Sequence, residues 1–307
     1  MANLLGCNTI NTDPDCVKGL YPKEVYSRVI RKYERYAGLI GALEFSHTTE
    51  ITPDEALEIG KMARNAGFLT WSIHSEHLNI GDTLEVYLKI QKNAAEVCAA
   101  LGCQVMVCHL PNLRPYDDFE RDLEVVGKVA DLTHSCGIKL AVENTSYVTD
   151  GNPFNTDMDL VLQVVEALNR SDVGVNLDTG HAFLGQTQLD PEILEEIISG
   201  KREQRIADMV RRLGKRLFTT HLQDNFGLHD DHQAPGLGYI DWKPVISAIQ
   251  DIGYQGVLMM ELTGPGASLA RPVKQMQGFP LEKDIVFGAN YLNWIQQNRK
   301  GDQDAET

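Results

Sequence analysis

In the stretch GVNLDTGHAF, residues 174–183, an alternation of apolar positions (Val173, Val175, Leu177) stops at Asp178 and is followed three residues later by His181. A carboxylate there can cap the next helix, or it can share a site with the imidazole at the end of a strand. The same habit recurs along the chain. Short apolar runs end on His74, His109, Glu143 with Asn144, Asp178, His221 and Glu261; an earlier run offers Glu44, and Glu76 and His77 lie just past His74. Each alone reads as a helix cap or a packed histidine, but a habit repeated in seven runs asks for a common cause. Carboxylates crowded together repel unless protonated or compensated, and no Lys or Arg holds a comparable position. The compensating charge is therefore expected from a bound cation. Glu143, Asp178, His221 and Glu261, from four consecutive runs, form the minimal ligand set. Carboxylates with imidazoles suit one divalent ion of the Mn, Zn, Co or Mg kind, at ligand distances of about 2.0–2.2 Å.

What positions these residues is a repeated strand-and-helix unit. The apolar runs NLLGCN, ALEF, LTWSIH, VMVCH, KLAVEN, VGVNLD, LFTTH and VLMMEL read as strands. Longer amphipathic stretches such as PKEVYSRVIRKYERYAG, TPDEALEIGKMARNAG, LEVYLKIQKNAAEVCAALG, FERDLEVVGKVADLTHSCG and DMDLVLQVVEALNRS read as helices, several ending in Gly. Eight such units predict an α/β protein whose parallel strands close into a single-domain (β/α)8 TIM barrel over residues 1–298, with a polar, frayed tail at 299–307. A doubly wound open sheet would carry a glycine-rich phosphate loop after its first strand, and GCNTINTD is not one. In a parallel barrel all strand C-termini meet at one rim. Two long connections, DNFGLHDDHQAPGLGYIDW and TGPGASLARPVKQMQGFP, fall on that rim, where barrels build sites. Arg271 and Lys274 in the second are expected on a solvated surface.

Composition narrows the function. Among 307 residues, 43% are hydrophobic and 23% charged, ordinary for a globular protein with a large core. No apolar run approaches the ~20 residues of a membrane helix, and the N-terminus lacks a signal-peptide pattern. The expectation is a cytoplasmic protein with no membrane partner. Six cysteines without a C-x-x-C pair are expected as buried reduced thiols. The net charge of −15 works against nucleic acid as a partner.

The strings AVENTS, GVNLDTGHAF, THLQDN, DDHQAPGLGYIDW and MMELTG, in order along the barrel, resemble the xylose-isomerase-like barrel superfamily of sugar isomerases and epimerases, which also includes endonuclease IV. The resemblance implies a metal site of Glu143, Asp178, His221 and Glu261, with Glu143 and Glu261 also acting as the catalytic proton-transfer pair. It places His181, Asp230 and His232 beside the metal, against substrate or a further ion. His74 and His109 join them as expected substrate contacts. The implied activity is a metal-dependent isomerisation or epimerisation of a ketose or related polyol through an enediolate. A keto-polyol dehydratase and a trinuclear-zinc apurinic endonuclease are the alternatives. The nine residues His74, His109, Glu143, Asp178, His181, His221, Asp230, His232 and Glu261 supply a candidate for every zinc ligand of that nuclease, so additional zinc ions are part of this alternative. Asp231, however, stands where the nuclease has an arginine, and an HDDH loop repels a phosphate backbone. The chain also departs from the best-defined ketohexose 3-epimerases: ENTSYVTD lacks their second glutamate and HLQDNFG their arginine. A non-catalytic sugar-binding barrel is the reading from another class, and it gives no reason for clustered ligating carboxylates. Homo-oligomers occur among the relatives.

Overall fold

The eight apolar runs form strands because each is buried on both faces, which parallel strands under a helical cover require. The computed structural model describes residues 2–9, 15, 21–76, 83–111, 119–145, 158–187, 190–262 and 281–298. The strands are β1 (Leu5–Asn8), β2 (Ala42–Ser46), β3 (Leu69–His74), β4 (Val105–His109), β5 (Lys139–Glu143), β6 (Val173–Asp178), β7 (Leu217–His221) and β8 (Leu258–Met260). They pair in parallel in the order β7-β6-β5-β4-β3-β2-β1-β8. Between them run α1 (Lys23–Tyr33), α2 (Pro53–Asn65), α3 (Leu84–Leu101), α4 (Phe119–Ser135), α5 (Met158–Leu168), α6 (Thr179–Thr187), α7 (Pro191–Ile198), α8 (Ile206–Leu213), α9 (Trp242–Asp251) and α10 (Leu281–Asn298). The single-domain (β/α)8 barrel expected from the sequence is the fold observed. Residues 299–307, the cysteine at 16, His77, Arg271 and Lys274 lie outside the described residues.

Local signals set the helix ends. Thr52 accepts from the Glu55 amide while the Glu55 side chain accepts from the Thr52 amide, a capping box in front of Pro53. Gly102 ends α3 with φ +80°, a backbone that a Cβ disfavours. No described helix is long and apolar enough to cross a membrane. Cys7, Cys98, Cys103 and Cys108 are buried free thiols, and Cys136 is partly buried.

The core has two layers. The larger lies between strands and helices, and the smaller fills the barrel floor with Ala42, Val257, Met259, Val105, Val107 and Ala141 around Trp71 and Phe218. Two register shifts build that floor. The β2–β3 ladder pairs Leu43 with Thr70 and then Glu44 with Ser72, skipping Trp71. The β6–β7 ladder pairs Val175 with Leu217 and then Asn176 with Thr219, skipping Phe218. Each bulge frees one aromatic from the ladder, and Trp71 Nε1 donates to Thr219 Oγ1 at 3.0 Å.

The barrel closes between β7 and β8 through a seam rather than a full ladder. Leu222 and Met260 form an isolated bridge, with the Leu222 amide donating to the Met259 carbonyl at 2.7 Å. Thr220 Oγ1 accepts from the Met259 amide at 3.1 Å. A side-chain hydroxyl thus stands in for part of the β7–β8 ladder.

Candidate metal centre

The strand ends deliver their polar residues to one mouth, as a parallel barrel must. Glu143 ends β5, Asp178 ends β6, His221 ends β7, and Glu261 follows β8 directly. One donor atom from each lies within 4.8 Å of the others, and all four residues are buried. Two further groups meet the same criterion: His74 with Glu143 and His221, and His181 with Asp230 and His232. The first of these shares Glu143 and His221 with the main set. All nine residues singled out in the sequence therefore gather at this mouth; His109 Nε2 lies 3.6 Å from Glu143 Oε2 and 3.2 Å from His74 Nε2. A cavity of about 120 Å³ opens at this mouth, lined by His74, His109, Glu143, His181, Asp230 and His232 among others.

Asp178 carries both roles that its position suggested. Its Oδ1 accepts from the His181 amide at 2.7 Å, which starts α6. Asn144 clamps the same residue: its side chain donates to the Asp178 carbonyl at 3.0 Å and accepts from the Asp178 amide at 2.9 Å. Gln223 Nε2 bridges Asp178 Oδ1 at 3.2 Å and Asp230 Oδ1 at 3.0 Å. Gly180 is needed beneath it, since a Cβ there would lie 2.1 Å from the Gln223 side chain. Asn176 Nδ2 donates to Glu143 Oε2 at 2.8 Å.

The imidazoles are oriented by their second nitrogens. The Nδ1–H groups of His74, His181 and His232 donate to the carbonyls of Ser75 (2.9 Å), Asn144 (2.9 Å) and Glu261 (3.2 Å). Each then presents Nε2 to a carboxylate: Glu143 at 3.3 Å, Asp230 at 3.0 Å and Asp230 at 3.3 Å. His221 is turned the other way. Its Nε2 faces Glu44, and its Nδ1 lies 3.1 Å from Glu143 and 3.2 Å from Glu261.

The site is strongly polarised. Burial opposes charge on both Glu143 and Glu261, yet the imidazoles around them, His221 first, together outweigh it and hold both carboxyls below their ordinary range. Burial pushes Asp178 up to about 7. Burial also opposes protonation of His74 and His232, but Glu143 raises the first to about 9 and Asp230 the second to about 10. His181 and His221 are likewise raised by the carboxylates around them. Protons on these imidazoles therefore supply positive charge that the sequence reading assigned to a cation alone.

The donor set fits a divalent ion. His221 Nδ1 and Glu143 Oε1 are buried without a hydrogen-bond partner, a cost that coordination removes. The mixture of carboxylate oxygen and imidazole nitrogen suits Mn, Zn, Co or Mg.

The chain is similar to known proteins. A family model described as xylose isomerase-like TIM barrel matches residues 36–283. An inosose isomerase of Bacillus licheniformis is 26% identical over 186 residues, 57% of this chain and 59% of that protein. A D-psicose 3-epimerase of Ruminiclostridium cellulolyticum is 27% identical over 146 residues, 47% of this chain and 41% of that protein. The chain thus spans about half the length of these curated relatives. A solved structure of an L-ribulose 3-epimerase superposes with a TM-score of 0.74 at 14% identity, covering 100% of this chain and 98% of that one.

Proposed function

The chain belongs to the xylose isomerase-like TIM barrel family, and from that premise we propose that it is a divalent-metal-dependent isomerase or epimerase of a ketose or a cyclic keto-polyol. The observation that supports this most is the convergence of Glu143, Asp178, His221 and Glu261 on one buried point with donor atoms left unpartnered. The names of the relatives, an inosose isomerase and a D-psicose 3-epimerase, supply the substrate class.

Glu143, Asp178, His221 and Glu261 would hold the ion. When bound, it supplies Lewis acidity at neighbouring substrate oxygens and so acidifies the C–H beside the carbonyl. Glu143 and Glu261, kept ionised by the imidazoles around them, are the proton carriers. One takes the proton from that carbon while the C–H electron pair moves toward the carbonyl to give an enediolate. The other, which first takes a proton from solvent, returns it to carbon, while the first gives its own to solvent, so the pair is restored. The carbon reprotonated decides between 1,2-isomerisation and C3 epimerisation. His74, His109, His181, Asp230 and His232 line the cavity at hydrogen-bonding positions for substrate hydroxyls. Expulsion of a β-hydroxyl from the same enediolate would make the enzyme a dehydratase.

One observation favours a second reading, hydrolysis of abasic DNA by three zinc ions. His181, Asp230 and His232 form a ligand group of their own, and His74 shares Glu143 with the main set. Elemental analysis of purified protein, joined to a panel of ketoses and inososes in deuterated water, tests both. One ion per chain with deuterium uptake at carbon supports the isomerase or epimerase. Three zincs with cleavage of an abasic-site duplex and no uptake across the panel would overturn it.

A further inference from the structure

Glu44, a carboxylate noted in the sequence on the second apolar run, is left unused by the proposed chemistry. It sits on β2, fully buried, paired across the ladder with Ser72 of β3. The register shift beside it leaves Trp71 out of the pairing and brings Ser72 opposite. Ser72 Oγ donates to Glu44 Oε2 at 2.7 Å. The two carboxylate oxygens straddle His221 Nε2, at 2.9 Å and 3.1 Å. No Glu44 atom belongs to the ligand groups named above.

His221 differs from His74, His181 and His232 in a way that this contact explains. His74, His181 and His232 each give Nδ1–H to a backbone carbonyl and present Nε2. His221 presents Nδ1 instead, buried and without a hydrogen-bond partner between Glu143 and Glu261. A neutral imidazole has one N–H and one lone pair, so a ligating Nδ1 requires the proton on Nε2. The acceptor for that proton here is a carboxylate, which fixes the ring and strengthens the opposite nitrogen as a ligand.

We infer that Glu44 is a positioning residue: it holds His221 as the Nε2–H tautomer and so delivers Nδ1 to the metal, with Ser72 fixing the carboxylate in turn. The inference rests on the metal site proposed above. It assigns β2 and β3, which contribute nothing to the minimal ligand set, a part in building that site.

The test uses the whole chain and Zn²⁺ alone, in competition with a chelating dye, together with long-range ¹H–¹⁵N spectra of the histidine rings. Wild-type protein loaded with zinc is expected to show His221 protonated at Nε2 and ligated through Nδ1. Glu44→Gln is nearly isosteric but can turn an N–H toward Nε2. It is expected to weaken zinc on the order of 10–100-fold and to erase the Nε2–H signature. Ser72→Ala, which keeps the carboxylate and frees one of its oxygens, keeps the test open should Glu44→Gln not fold. It is expected to weaken zinc in the same direction by less. Unchanged affinity in both variants, or zinc-loaded His221 protonated at Nδ1, overturns the role of Glu44. If His221→Ala still loses zinc, the metal site stands without this role; if it retains zinc as well, the site reading falls too.

Discussion

Asp178 shows why a single residue could be read in two ways from sequence: it is both the cap of α6 and a member of the ligand group. Asn caps as well as Asp, so Asp178→Asn separates the roles. The variant is expected to melt within about 1 kcal/mol of wild type while losing bound metal; full metal retention would remove Asp178 from the site. Glu143→Gln and Glu261→Gln are each expected to abolish substrate deuterium exchange, and retained exchange in either would remove that residue from the proton relay. Acidity gives a signed prediction for the metal-free protein. His74 and His232 are raised to about 9 and about 10, above the ordinary ~6.5. A raised imidazole contributes stability that is fully present below its unfolded value and is lost as pH climbs through the folded one. Metal-free protein should therefore lose melting temperature on the way from neutrality to pH ~10. Zinc needs unprotonated imidazoles, so the stabilisation it adds should grow over the same range. A zinc-induced shift that shrinks as pH rises would contradict the site. The nine site residues were legible because each ends or directly follows a strand, opens the helix after β6, or sits in the loop after β7. Asn176 was legible in principle, two residues before Asp178 on the same face of β6, yet it passes as part of an apolar run. Gln223 carries no such mark, since its role depends on the bare Cα of Gly180 from another element.

The connection from β7 to α9 shows how an element without regular structure holds functional groups still. Asp224 is its hub. Its carboxylate accepts from the amides of Asn225, Gly236 and Ile240 at 3.0, 2.9 and 3.1 Å and from Trp242 Nε1 at 2.8 Å. Its backbone exchanges two hydrogen bonds of 2.8 Å with Gln233. Asp230 and His232 lie on the segment pinned between these anchors, and His232 holds φ +46°, a strained backbone for a side-chain-bearing residue. Asp224→Asn puts an N–H against donors already in place. It is expected to cost about 3 kcal/mol in chemical denaturation, from buried donors left unpaired, and to weaken zinc by loosening Asp230 and His232. Gly238→Ala should act the same way, because its Cβ would lie 2.3 Å from the Asn225 carbonyl and from Asp224. Normal stability in both would show the hub to be dispensable. The Gly/Pro punctuation of DNFGLHDDHQAPGLGYIDW marked this connection as built, and the strand–helix alternation marked the eight strands and α1 to α5, while the three helices between β6 and β7 break that alternation. What the residues did not disclose is register. The slips at Trp71 and Phe218 are settled by which aromatics fit together on the barrel floor, a packing question among distant strands.

At the scale of the molecule, the weak point of the barrel and its candidate metal centre coincide. Seven neighbouring strand pairs share ladders, while β7 and β8 meet through one bridge and the Thr220 hydroxyl. His221 lies at the end of β7 and Glu261 just past β8, so two of the four ligands stand on opposite sides of that seam. An ion held by both would tie the strands where backbone pairing is thinnest. Binding only to the closed barrel stabilises it by about 2.7 kcal/mol at a hundred times the dissociation constant. Local opening of the seam should be suppressed by a comparable amount. Thr220→Val removes the acceptor for the Met259 amide and is expected to cost about 1–3 kcal/mol, with faster hydrogen exchange at Met259 and Leu222. Zinc should slow exchange at both amides in wild type and restore most of the protection lost in Thr220→Val. In His221→Ala it should do neither. Zinc that binds yet leaves those two amides exchanging at their metal-free rates would mean that the ion does not bridge β7 and β8, and the four-ligand arrangement would have to be redrawn on one side of the seam.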